Sequence, residues 1–68
     1  METSFLQTLV LVAEMGSMAA AARRLNITPA AVAQQIRALE REMGTPLVTR
    51  AGRTVSLTES GARLLEPT

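Results

Sequence analysis

The 68-residue sequence contains no cysteine, no histidine, no aspartate and no lysine, and its one aromatic residue is Phe5. Without cysteine there is no disulfide framework and no thiolate metal site, and without histidine the usual metal ligand and general base are missing. The acidic residues are all glutamate and lie scattered along the chain. An enzyme made from this inventory would have to rely on serine, glutamate and arginine alone, so catalysis is not expected, and neither is a cofactor or metal within these residues. A single aromatic residue leaves no platform for stacking single-stranded bases. Apolar runs are short, so neither a membrane span nor a secretory signal is expected, and a cytoplasmic location follows.

What remains is a chain with room for one small core. Its net charge is +1, but every positive charge is an arginine. The planar guanidinium suits phosphates and guanine edges better than an ammonium does. An arginine-rich codon usage would produce the same composition, so the position of each arginine has to decide.

Four helical segments and one hairpin are legible in the sequence. Residues 4–15 read as a first helix, with Thr3 or Ser4 as cap and a core stripe of Phe5, Leu9, Val12 and Ala13. Leu6 and Val10 widen that stripe, which points to a covering element, the C-terminal helix being the candidate. Gly16 ends this helix and Ser17 caps the next, whose inner face is Met18, Ala21, Ala22 and Leu25. Asn26-Ile27-Thr28 is a tight turn. Thr28 then caps a third helix beginning at Pro29, where a missing N–H is no loss. Its inward stripe is Val32, Ile36, Leu39 and Met43, and Gly44 closes it. Met15, Met18 and Met43 read as core filler. Residues 46–49 and 54–57 are β-prone and flank the turn Arg50-Ala51-Gly52-Arg53, which predicts a two-stranded wing. Thr58 caps a last helix over 59–66, where Glu59 complements the dipole.

The two helices joined by the 26–28 turn, with small residues at their crossing and a polar outer face, form the shape that enters a DNA major groove. The chain resembles the N-terminal DNA-binding domain of LysR-type bacterial transcriptional regulators. The resemblance is carried by Phe5-Leu6, Val12-Ala13-Glu14, Gly16-Ser17, Ala21-Ala22-Arg23-Arg24-Leu25 and Thr28-Pro29-Ala30-Ala31-Val32. It continues through Gln35-Ile36-Arg37-Ala38-Leu39-Glu40, Gly44-Thr45-Pro46-Leu47, Arg50 and Leu57-Thr58-Glu59-Ser60-Gly61. It implies a mainly α, winged helix-turn-helix fold: a DNA-binding unit over 1–57 and the start of a dimerisation linker helix over 58–68. It further implies a separate effector domain for a small-molecule co-inducer, binding to an inverted-repeat operator, and a place on the bacterial nucleoid. Family members commonly carry Ser at the position of Ala33, often Arg at Gln34, and Phe at Val48. No target sequence can therefore be carried over.

On the third helix the side opposite the stripe holds Ala30, Gln34, Arg37 and Arg41, with Ala33 on its flank. Gln34 suits a bidentate contact with adenine, and Ala30 or Ala33 contact with a thymine methyl. Pro29 and Arg37 complete the base-reading set. Arg37 has two readings, a phosphate or guanine contact and an ion pair with Glu40 or Glu42. Arg41 lies far down the helix and reads as solvated. Arg23 and Arg24 sit where cations favour the end of the second helix. Backbone contacts are expected from the capped N-termini at Ser17 and Thr28 and from the wing arginines Arg50 and Arg53. Arg50 has the alternative of pairing with Glu40.

The expected function is sequence-specific binding of double-stranded DNA, with helix 29–43 in the major groove and wing 46–57 on the flanking backbone. The alternative from another class is a winged helix used only for protein–protein contact through its alanine-rich face. Leu57, Leu64 and Leu65 begin an apolar face too short for a coiled coil, and Pro67 weakens continuation. A chain of this length is thus expected to be monomeric or weakly dimeric, and self-association to need a longer linker helix.

Overall fold

The computed structural model describes residues 3–66, without the side chain of Thr3. The chain runs α1 (Thr3–Met15), α2 (Met18–Leu25), α3 (Pro29–Met43), β1 (Val48–Ala51), β2 (Thr54–Leu57) and α4 (Glu59–Leu65). The three long helices pack on one another around Leu9, Val12, Ala21, Ala22, Val32, Ile36 and Leu39, all essentially without solvent exposure. Alanine at 21 and 22 is what lets α2 lie close against α1 and α3. The strands form one antiparallel hairpin with Val48 opposite Leu57 and Ala51 opposite Thr54. This is the mainly α, winged helix-turn-helix architecture expected from the sequence.

Side-chain caps appear where the sequence places them. Ser17, Thr28 and Thr58 accept from the backbone N–H three residues on, each at 3.1 Å. Asn26 ends α2 in the left-handed region at φ 60°, a conformation its short polar side chain tolerates.

Five expectations need correction. The first helix already includes Ser4, whose carbonyl lies 3.1 Å from the Thr8 hydroxyl one turn on, so Ser4 is not its cap. Met43 and Met15 are not core filler: they are 41% and 39% exposed. The backbone reverses at Gly44, and the fully buried Leu47 closes the core at that end. Val10 is 36% exposed, because α4 packs on β2 and against the Leu47 backbone rather than over the outer face of α1. The first strand is 48–51, not 46–49, and the turn is Gly52–Arg53 alone. Gly52, at φ +65°, makes so short a reversal feasible, and the Thr54 hydroxyl donates to the Ala51 carbonyl across it. Helix α4 stops at Leu65, with Glu66 extended. The expectation for Pro67 lies outside the described residues.

Two sets of bonds hold the wing to the helices. The N–H of Val55 donates to the Gly16 carbonyl at 3.0 Å, which ties β2 to the α1–α2 turn. The Glu40 carboxylate accepts from the N–H of Leu47 at 2.8 Å and of Val48 at 3.4 Å, which ties the entry of β1 to α3. Beyond the wing, Thr58 donates its N–H to the Leu47 carbonyl and its hydroxyl to the Pro46 carbonyl.

Candidate nucleic-acid interface

The outer face of α3 follows from its inner one. With Val32, Ile36 and Leu39 buried, helical geometry turns Ala30, Gln34, Arg37 and Arg41 outward. All four are exposed, as is Pro29, and Ala33 is half-buried on the flank. Fifteen residues make α3 about 22 Å long, enough to cross a major groove with several side chains in reach of base edges. No carboxylate stands on α3 before Glu40, so its N-terminal half opposes no phosphate.

The N-termini of α2 and α3 and the wing meet around an open recess of about 420 Å³. Among its lining residues are Ser17, Pro29, Ala30, Ala33, Arg50 and Arg53. Six of the nine sequence-predicted site residues, drawn from three separate elements, thus share one concave surface. Arg50 lies directly opposite Val55 in the hairpin, so both side chains leave the sheet on one face and line the recess together. Arg53 stands in the two-residue turn at the tip, exposed.

The remaining three are placed differently. Thr28 lies exposed at the start of α3 and is engaged as its cap. Gln34 is exposed on α3 but does not line the recess. Arg37 faces a separate depression bounded by Glu40, Arg41, Gly44, Thr45 and Pro46.

The Glu40 alternative bears on Arg37 and Arg50. Its carboxylate is spent on the strand-entry N–H groups. Neither Arg37 nor Arg50 is paired with it among the described residues. Arg63 pairs with Glu59 at 3.3 Å, both side chains largely in solvent, a contact that contributes little to stability. Arg37, Arg50 and Arg53 are all exposed. Arg23 and Arg24 occupy the last turn of α2, as expected of cations near a helix C-terminus.

Sequence reasoning missed three contributors. Met18 and Ala19 line the recess from the first turn of α2, and Val55 from the wing. The position of Ser17 carried the signal for the first two, since residues just inside a capped helix end share its outlook. Val55 gave none, because a buried strand residue becomes a wall only once the hairpin docks. Among the described residues no group of acidic side chains is arranged to hold a metal ion. No described helix is long and apolar enough to cross a membrane.

One prediction concerns the cap at the head of α3. Thr28→Ala should lower stability by about 1 kcal/mol, because the Ala31 N–H loses its acceptor. Thermal unfolding measures this. An unchanged midpoint would show that water replaces the hydroxyl without loss.

The same arrangement recurs in known proteins. A family model described as bacterial regulatory helix-turn-helix protein, lysR family, matches residues 4–62. The AhcY transcriptional activator HvrB of Rhodobacter capsulatus is 48% identical over 58 residues, 85% of this chain and 20% of its own length. The HTH-type transcriptional activator TtdR of Escherichia coli is 48% identical over 61 residues, 90% of this chain and 20% of its own length. Among solved structures, the complex of the CbnR DBD with DNA superposes with a TM-score of 0.88 at 40% identity, covering 96% of this chain and 75% of that one. The complex of the BenM DBD with benA site 1 DNA gives a TM-score of 0.87 at 36% identity, covering 94% and 72%. The chain spans about a fifth of the length of these curated relatives. Since the match runs through the helices, the turn between them and the wing alike, the chain belongs to the LysR family of bacterial regulatory helix-turn-helix proteins.

Proposed function

We propose that this chain is the sequence-specific, double-stranded DNA-binding domain of a bacterial transcriptional regulator. The observation that carries the reading is the shared concave surface. The exposed N-terminal half of α3 stands beside Arg50 and Arg53 of the wing, and no carboxylate neutralises either arginine among the described residues. The likeness to the CbnR and BenM DNA complexes supports it. In this reading α3 enters the major groove, where Pro29, Ala30, Ala33, Gln34 and Arg37 meet base edges. Ser17 and Thr28, at helix N-termini, and Arg50 and Arg53 hold the sugar–phosphate backbone on either side.

Residues 1–57 form the binding unit, and residues 58–68 belong to the linker segment through which two copies pair on an inverted repeat. The whole protein acts in the bacterial cytoplasm, at the nucleoid, and switches transcription when its remaining domain takes up a small-molecule co-inducer. Its role is regulatory and not enzymatic.

Titrating duplex affinity against salt tests the reading, because every phosphate neutralised releases counterions. Affinity should fall steeply and linearly on logarithmic axes. A winged helix that serves only protein–protein contact would show no such affinity at any salt. Within that experiment, Arg53→Ala should weaken preferred and random duplexes alike and reduce the slope by about one counterion. An unchanged slope in a folded variant would remove Arg53 from the phosphate contacts.

A further inference from the structure

Thr8 is the single buried polar side chain among the described residues, 2% exposed in the middle of α1. Its hydroxyl donates to Gln35 Oε1 of α3 at 2.5 Å and also lies 3.1 Å from the Ser4 carbonyl of its own helix. Gln35 is half-buried and adjoins Gln34, one of the proposed base readers. On the helix it sits between Val32 and Ile36, Leu39 on the edge of the buried stripe, where α3 meets α1. The rest of that packing is apolar, against Leu9, Val12 and the flat alanine surface of α2. Apolar contact is non-directional. It holds α3 against the core and opposes large rotations, and the Glu40 bonds to the Leu47 and Val48 N–H groups pin the C-terminal end of the helix. Nearer the outward residues Ala30 and Gln34 the directional restraint is the bond to Thr8. A hydrogen bond between two side chains of fixed position is directional.

The scale of such a rotation matters for reading DNA. A side-chain end about 6 Å from the helix axis moves about 2 Å when the helix turns by roughly 20°. A bidentate contact to a base edge tolerates a few tenths of an ångström. The three outward residues Ala30, Gln34 and Arg37 would lose register together.

We propose that Thr8 and Gln35 are a positioning pair: their hydrogen bond fixes the rotation of α3 about its axis and so sets which bases the outer face meets. The inference rests on the DNA-binding reading above. Neither residue touches DNA; each acts through the helix. Buried polar pairs of this kind contribute specificity of arrangement in some proteins while adding little net stability.

The test compares four variants with the unaltered chain by the ratio of affinities for a selected duplex and a random one, alongside thermal unfolding. Thr8→Val removes the donor and keeps the shape. Thr8→Val combined with Gln35→Leu removes both polar groups, which restores packing without the bond. Thr8→Ser keeps the hydroxyl. Val12→Ala destabilises the same helix and leaves both members of the pair in place. The double variant should unfold near the temperature of the unaltered chain and keep its affinity for random duplex. Its specific-to-random ratio should fall about tenfold, spread over several base positions. Thr8→Ser should keep the ratio, and so should Val12→Ala wherever it is folded.

A double variant with an undiminished ratio would overturn the proposal. So would Thr8→Val and Val12→Ala losing the ratio in step with stability, since the pair would then be structural only. An unaltered chain with no preference for any duplex would instead defeat the DNA-binding reading itself.

Discussion

Gly61→Ala should lower the unfolding midpoint by about 10 °C, the largest stability change expected of any single methyl group in this chain. A Cβ at position 61 would overlap the Leu47 carbonyl oxygen and stand 3.1 Å from the Leu47 carbonyl carbon and from Leu57 Cδ2. Two of those three neighbours are backbone, so no side-chain rotation relieves the contact. Helix α4 would have to retreat from β2, breaking the 3.0 Å bond from the Thr58 N–H to Leu47 and the 2.7 Å bond from its hydroxyl to Pro46. Overpacking of this kind costs about 1–3 kcal/mol, more than alanine's helix propensity returns. In a domain this small each kcal/mol moves the midpoint by roughly 4–8 °C. A variant that melts at or above the unaltered temperature would show that α4 is not seated so closely.

Gln34→Ala should cost about 1–3 kcal/mol on the preferred duplex and nothing on random DNA, flattening the preference at one base position. The expectation follows from where Gln34 stands: fully outward on α3, four residues past Ala30 and free of the scaffold. A bidentate amide–adenine contact is lost as a unit, so the loss belongs to a single position. A uniform loss on every duplex would mean that Gln34 contacts the backbone and reads no base. Ala33→Ser makes a related point from the flank, where the new hydroxyl should alter preference without abolishing binding.

Much of this was legible in the sequence because the signals were local. Ser17, Thr28 and Thr58 announce helix starts by chemistry that acts over three residues. Asn26 announces a stop, and the 32–36–39 stripe fixes which way Gln34 and Arg37 face. The misreadings arose where position depends on the rest of the fold. Periodicity carries Met43 into the stripe, but the reversal at Gly44 brings Leu47 to that end of the core instead. Val10 has core chemistry yet stays 36% exposed, because α4 is drawn to Leu47 and Leu57. Residue character alone puts the wing strand two residues early, since Pro46 and Leu47 are as apolar as the residues that pair. What those two do instead, meeting Thr58 and Glu40, is decided by residues far along the chain. The recess itself was half visible: its helix termini and arginines could be named, but their convergence rests on the bonds of Val55 to Gly16 and of Glu40 to Leu47.

The central claim, that α3 reads sequence in a duplex, is tested most directly by selecting bound duplexes from a random pool with this chain. The account predicts convergence on a short motif, with enrichment lost at one position for Gln34→Ala and kept at every position for Arg53→Ala. A pool that remains random after repeated selection, or one whose preferences ignore Gln34 and the other outward residues of α3, would contradict it.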